Sequence, residues 1–297
     1  METTTNTSTS ISKRQPAWLQ VMLGPNGVRR LPWIPLTIMG ILFFCAVFAP
    51  LVAPHDPIKI KMSEARLAPL MDLAYPLGTD VMGRDMLSRL IYGARTALFI
   101  SLIALGAGGF VGSALGLLSG YRGGWLDVLI MRTADAALGF PTILVAMIIV
   151  TLLGTGIENI MLAVALTVWA RFARMIRGDA LSIKELDFVT SARIAGVSTT
   201  MIIWRHIFPS TINTLLVIAS LQVGQVILLE ASLSFLGLGL PPGHPAWGIM
   251  VSEGRTVILD VWWLSLIPGL TITVVVLALN FFGDWMRDTL DPKLRRA

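Results

Sequence analysis

Gln222, Gln225 and Glu230 stand inside one of the longest apolar stretches of the chain. Polar and ionisable groups are costly within a bilayer, so those that persist there mark solute paths, relays or interhelical hydrogen bonds. The two glutamines lie one and two helical turns before Glu230, on overlapping faces of a helix. All three are candidates for a translocation path or gate; a hydrated helix end is the other reading of Glu230, and bonding to neighbouring helices the other reading of the glutamines. Little else suggests chemistry of bond breaking. His55, His206 and His244 are far apart and lack the spacing of metal ligands. There is no Gly-Lys dipeptide, and hence no GxxxxGK[ST] phosphate cradle. The run LSGYRGG at 118–124 reads as a Gly-rich turn. Asp127, Arg132 and Asp135 share one helical segment, where Arg132 and Asp135 are spaced to pair locally. The chain is expected not to be an enzyme and to bind no metal or cofactor itself.

These side chains need a scaffold, and composition names its class. Of 297 residues 55% are hydrophobic and 14% charged, with a mean hydropathy of +0.74, which excludes an ordinary soluble domain. Lys and Arg outnumber Asp and Glu by 23 to 18, but they are scattered between apolar segments and outline no nucleic-acid face. Cys45 is the single cysteine, so there is no disulfide framework. The start METTTNTSTSIS lacks the pattern of a secretory signal and reads as a polar tail.

An all-α polytopic membrane protein is expected, with six spans at 31–53, 95–119, 136–154, 158–176, 212–236 and 261–283. Arg171 and Arg174 would then snorkel at the end of the fourth span. With the N-terminus inside, sixteen of the 23 Lys and Arg face the cytoplasm, so the positive-inside rule places both termini there. The organisation follows: a tail at 1–30, the first span and a long extracytoplasmic loop at 31–94, a five-span core at 95–283, and a tail at 284–297. Gly108, Gly112, Gly116 and Gly120 recur every four residues and predict a helix face approached closely by another backbone. Pro141 predicts a kink between an interfacial helix at about 125–138 and the third span.

Between the fourth and fifth spans lies FVTSARIAGVSTTMIIWRHIFPS, residues 188–210. Leu186, Phe188, Val189 and Ile194 give a short helix an apolar side, and Gly196 suits a left-handed C-terminal cap. Ser198 or Thr199 can open a second helix, expected to end before Pro209. Such an insert rests either on lipid headgroups or in a protein groove.

The stretch resembles the Glu-Ala-Ala loop of ABC-transporter permeases. Gly196 and Pro209 have that loop's separation, with Phe208 at its Leu position, whereas Thr190, Ser191 and Ala192 replace Glu-Ala-Ala and His206 replaces the usual Ile. The segments YPLGTDVMGRDMLSRLIYGAR (75–95), GYRGGWLDVLIMRTADAALGFP (120–141), EASLSFLGLGLPPGHPAWGIM (230–250) and GDWMRDTLDPKLR (283–295) resemble the dipeptide/oligopeptide permeases of that class. The resemblance implies the type I importer permease fold in a bacterial inner membrane. The implied partners are a second related permease in a heterodimer, two ATP-hydrolysing subunits holding ATP and Mg, and an extracytoplasmic substrate-binding protein. It also implies that the loop at about 177–210 couples to the ATPases, with Ala192, Arg193, Gly196, His206 and Pro209 as its site residues. Di- and oligopeptides are the expected solutes. Nickel chelates, opines and glutathione are alternatives within the same fold. An ATPase-independent secondary transporter or channel, and a scaffold without a path, are the alternatives of other classes.

Overall fold

The computed structural model describes residues 31–290; the two ends, with Lys13, Arg14, Arg29, Arg30, Lys293, Arg295 and Arg296, lie outside the described residues. The first helix, α1, spans Trp33–Val52 and bends near Phe48, two residues before Pro50. A loop with one short 3-10 turn at Met62–Glu64 leads to α2, Met86–Arg122, which is 37 residues long. Asp85 starts that helix firmly, because its carboxylate accepts the otherwise orphaned N–H groups of Leu87 and Ser88. Gly123 and Gly124, both at positive φ, turn the chain into α3, Gly124–Gly139.

Phe140 and Pro141 separate α3 from α4, Thr142–Leu153, and the axis turns by 92° there. Pro141 was expected to produce this break, since it has no N–H to give to a continuing helix. α4 has only 12 residues, so the apolar span expected over 136–154 is realised as one limb of a bent pair. α5 runs over Ile157–Ile183, α6 over Asp187–Ile194 and α7 over Thr199–Ile202. A π-turn, Ile203–Ile207, joins α7 directly to α8, Phe208–Phe235. α9 is Trp247–Arg255 and α10 is Trp263–Leu290. Among the described residues, five helical stretches are long and apolar enough to cross a membrane, and the bent α3–α4 pair makes six.

Two expectations are corrected. The short helix after Gly196 does not end before Pro209. The Phe208 N–H reaches back five residues to the Ile203 carbonyl, and this widened turn lets Pro209 enter α8 in its first turn, where a missing N–H is tolerated. Nor does Asp135 pair with Arg132: α5 brings Arg174 to Asp135 and Arg177 to Asp127.

The glycine periodicity predicted the principal packing seam. Gly108, Gly112, Gly116 and Gly120 of α2 lie against α5, and a β-carbon on Gly116 would sit 2.5 Å from the Ala173 carbonyl oxygen. The two backbones can come this close only without side chains on that face. Three apolar clusters fill the bundle. One joins α2, α4, α5 and α8 through residues such as Ile100, Val164, Phe172 and Leu233. A second surrounds Trp247 and Trp263. The third, with Leu117, Ile176, Val189, Ile202 and Ile207, lies beneath α6 and α7.

Candidate functional site

Helix α6 ends in a complete left-handed cap. The Gly196 N–H donates to the Arg193 carbonyl at 3.1 Å and the Val197 N–H to the Ala192 carbonyl at 3.1 Å, while Gly196 takes φ +77°. These two bonds satisfy carbonyls that a helix end otherwise leaves open, and they fix the angle at which α7 departs. Ser198 occupies the N-cap position of α7, but its side chain makes no capping bond. Val189, Ile202 and Ile207 point inward and anchor the hairpin to α2 and α5. The other face is apolar and uncovered: Ile194 is 83% exposed, and Phe188, Met201 and Trp204 are exposed with it.

The residues singled out in this segment occupy both faces. Ala192 and His206 are half-buried, Arg193 and Gly196 are exposed at the tip, and Pro209 is exposed where α8 begins. The Arg193 guanidinium lies over the Tyr121 ring at 5.9 Å and His206 lies beside Phe188. Behind the hairpin, Arg177 grips Asp127 through two bonds of 2.6 and 2.7 Å, and the Lys184 ammonium donates to the Gly120 carbonyl. α3, α2 and α5 thus form one braced unit carrying the exposed face.

A cavity of about 230 Å³ opens between α4, α5 and α8, and Gln222 and Gln225 both line it. Arg171 joins them, its Nη1 donating to Gln222 Oε1 at 3.1 Å. Its placement was read from sequence as a snorkelling end, but α5 continues to Ile183, so Arg171 faces the interior of the bundle. Glu230 does not line this cavity. It is 2% exposed, and the Ser234 hydroxyl donates to its Oε1 at 2.7 Å.

The opposite end of the bundle from Gly196 holds a charge cluster that sequence reading did not single out. Asp80 accepts from Arg84 and Arg89, and Glu253 of α9 accepts from the same two guanidinium groups at 3.0 and 2.7 Å. Asp80, Arg84 and Arg89 are each at most 2% exposed. The i, i+4 spacing of Asp80 and Arg84 was the available signal, whereas Glu253 is 169 positions away. The Trp263 indole N–H also donates to the Thr79 carbonyl, so the loop is pinned to both α9 and α10. Nearby, the Tyr75 hydroxyl donates to Glu64 and accepts from Lys61 at 2.7 Å; the Tyr75 bond holds the Glu64 carboxyl below its ordinary range. His55 stacks on Tyr75 and faces Asp85.

Comparison with known proteins gives this architecture a family. Residues 112–296 match the model for binding-protein-dependent transport system inner membrane components. A Pseudomonas aeruginosa di/tripeptide transport system permease protein, DppC, is 40% identical over 267 residues, covering 88% of each chain. A Pectobacterium atrosepticum glutathione transport system permease protein, GsiD, is 39% identical over 86% of this chain and 84% of its own. An Escherichia coli protein described as a probable D,D-dipeptide transport system permease, DdpC, is 36% identical over 90% of this chain and 92% of its own. Together with the matched span, these relatives establish that the chain belongs to the binding-protein-dependent transport system inner membrane component family.

Proposed function

We propose that this chain is one permease of a pair in an ATP-driven importer of di- and oligopeptides, and that an ATPase subunit of the assembly engages it at the α6–α7 hairpin. The observation that carries the proposal is the exposed apolar face of Phe188, Ile194, Met201 and Trp204, mounted on a hairpin whose other side is packed into the bundle. An apolar helical face of this kind gains most by entering a protein groove. Gly196 sets its shape, Arg193 and His206 flank it, and Ala192 and Pro209 hold its two ends.

On this reading the Gly196 end faces the cytoplasm, both termini lie on that side, and the 53–85 loop faces the extracytoplasmic binding protein. ATP and Mg belong to the partner subunits, so this chain carries no catalytic group of its own. Movement of the ATPases would pull on α6–α7. The continuous π-turn transmits that movement into α8, and the Asp127–Arg177 clamp transmits it into α3 and α5. Gln222 and Gln225 would line the solute path. Glu230, buried with Ser234 outside that lining, would stiffen the wall of α8.

The substrate class rests on the peptide permeases among the relatives, and glutathione, the solute named for one relative at 39% identity, is the second reading. The experiment is uptake into proteoliposomes holding both permeases, both ATPases and the loaded binding protein. Radiolabelled dipeptide should accumulate only with ATP inside the reach of the ATPases. Accumulation driven by an ion gradient, with the ATPases left out, would replace this reading with a secondary transporter.

A further inference from the structure

Arg171, Arg174 and Arg177 are spaced three apart on α5 and climb from the Gly196 end of the bundle towards its middle. The lower two meet acids of α3: Arg177 meets Asp127 and Arg174 meets Asp135. The uppermost meets none. α3 ends at Gly139 and the chain swings away by 92°, so no carboxylate of α3 follows Arg171, and the space left by the bend is the cavity lined by Thr142 of α4.

Arg171 lies fourteen residues from the Ile157 end of α5, about 21 Å along the axis, within the thickness of a bilayer core. A guanidinium at that depth calls for a partner. Among the described residues it has one neutral acceptor, Gln222 Oε1, and no ion pair. The same glutamine is 7% exposed, and its Nε2 is buried without any hydrogen-bond partner while lining the cavity. Gln225 adds another amide. The hydroxyls of Thr167 and Ser232 already donate to the Val164 and Leu228 carbonyls, so only their lone pairs face the cavity. Arg171 is the one ionisable residue in the lining, and no acid faces it there.

Beside the cavity the guanidinium N–H groups not used on Gln222 stand next to a buried, unpartnered amide N–H₂, with the Thr142 hydroxyl and the Gln225 amide also in the lining. That set fits a planar anion, since a guanidinium fork and a carboxylate match in geometry and charge. We infer that Arg171 and Gln222 form a carboxylate-binding station within the solute path, which receives the terminal carboxylate of the peptide in transit. The station rests on the peptide-importer reading above. It takes the anion that α3 supplies at the two lower arginines and withholds at this one. Because Arg171 also bonds Gln222, the station spans α5 and α8, so an arriving carboxylate touches both helices.

The test is equilibrium binding of radiolabelled Ala-Ala and of its C-terminal amide to the assembled membrane complex in nanodiscs, without the soluble binding protein. The free acid should bind about tenfold or more tighter than the amide, the worth of a charge-assisted bond. Arg171→Gln should bring the acid-to-amide ratio close to one, and Arg171→Lys should keep a preference for the acid. If Arg171→Gln does not assemble, Gln222→Leu takes its place and should lower the ratio at least about threefold. Equal binding of acid and amide by the wild type overturns the station, as does a ratio that these substitutions leave unchanged; a carboxylate donated by the partner permease would give that result. Failure of the wild type to bind either compound overturns the station alone, since the peptide-importer reading stands or falls on uptake with the loaded binding protein.

Discussion

Substitution of Gly196 separates the stability of the hairpin from its use. Gly196 sits at φ +77°, where an L-residue pays about 1–2 kcal/mol, yet a β-carbon there meets nothing within 4 Å. Gly196→Ala and Gly196→Asp should therefore both assemble, with the melting temperature lowered by roughly 2–8 °C. Their effects on transport should differ. Alanine adds one methyl group to an apolar face, whereas aspartate brings a charge into a groove shaped for Ile194, Met201 and Trp204. An unpaired charge buried at such a contact costs at least about 3 kcal/mol, equivalent to roughly a hundredfold loss of docking. Uptake into proteoliposomes should persist within about tenfold for Gly196→Ala and fall by about a hundredfold for Gly196→Asp. The melting curves of the two variants, recorded on the purified complex, should nearly coincide. Wild-type ATP-dependent uptake by Gly196→Asp would refute the assignment of this turn to the docking face.

Three further outcomes follow from the packing and the charges. Gly116→Leu should wedge α2 from α5, because its β-carbon would lie 2.5 Å from the Ala173 carbonyl, and should cost at least about 3 kcal/mol; Gly106→Leu, with nothing within 4 Å, should melt like the wild type. Asp80→Ala should destabilise by about 3–5 kcal/mol, read as a lowered melting temperature, because it strips Arg84 and Arg89 of their buried carboxylate and leaves them only Glu253. Acid should loosen the 53–85 loop. The Glu64 carboxyl is held below its ordinary value of 4.5 chiefly by the Tyr75 bond, so its contribution is present above that value and is lost as pH falls through the lowered one. Limited proteolysis of the loop should therefore accelerate as the pH is taken down below 4.5, and Glu64→Gln should remove that dependence.

What was legible in the sequence was what local spacing encodes. Four glycines in register predicted a close backbone approach, which α5 makes, Pro141 predicted the bend, and Gly196 predicted the left-handed cap. Features that depend on distant partners were not legible. Arg132 and Asp135 looked like a pair at helical spacing, but Arg174, 39 residues beyond Asp135, takes the acid instead. Pro209 looked like a terminator because its missing N–H is visible in sequence, while the π-turn that accommodates it is not. Arg171 was read as a helix end because the length of α5 could not be judged from hydropathy once arginines entered the window. Gln222 and Gln225 were picked out by the rarity of polar groups in their stretch; the same signal picked Glu230, which lies outside the cavity lining and is buried with Ser234.

The central claim is that chemical energy enters this chain through the α6–α7 hairpin. A photoreactive side chain placed at Ile194, 83% exposed at its tip, tests this in the assembled transporter. Illumination should join this chain to an ATPase subunit, and Gly196→Asp in the same background should abolish the product. Crosslinking to lipid alone, with ATP-driven uptake intact, would contradict the claim.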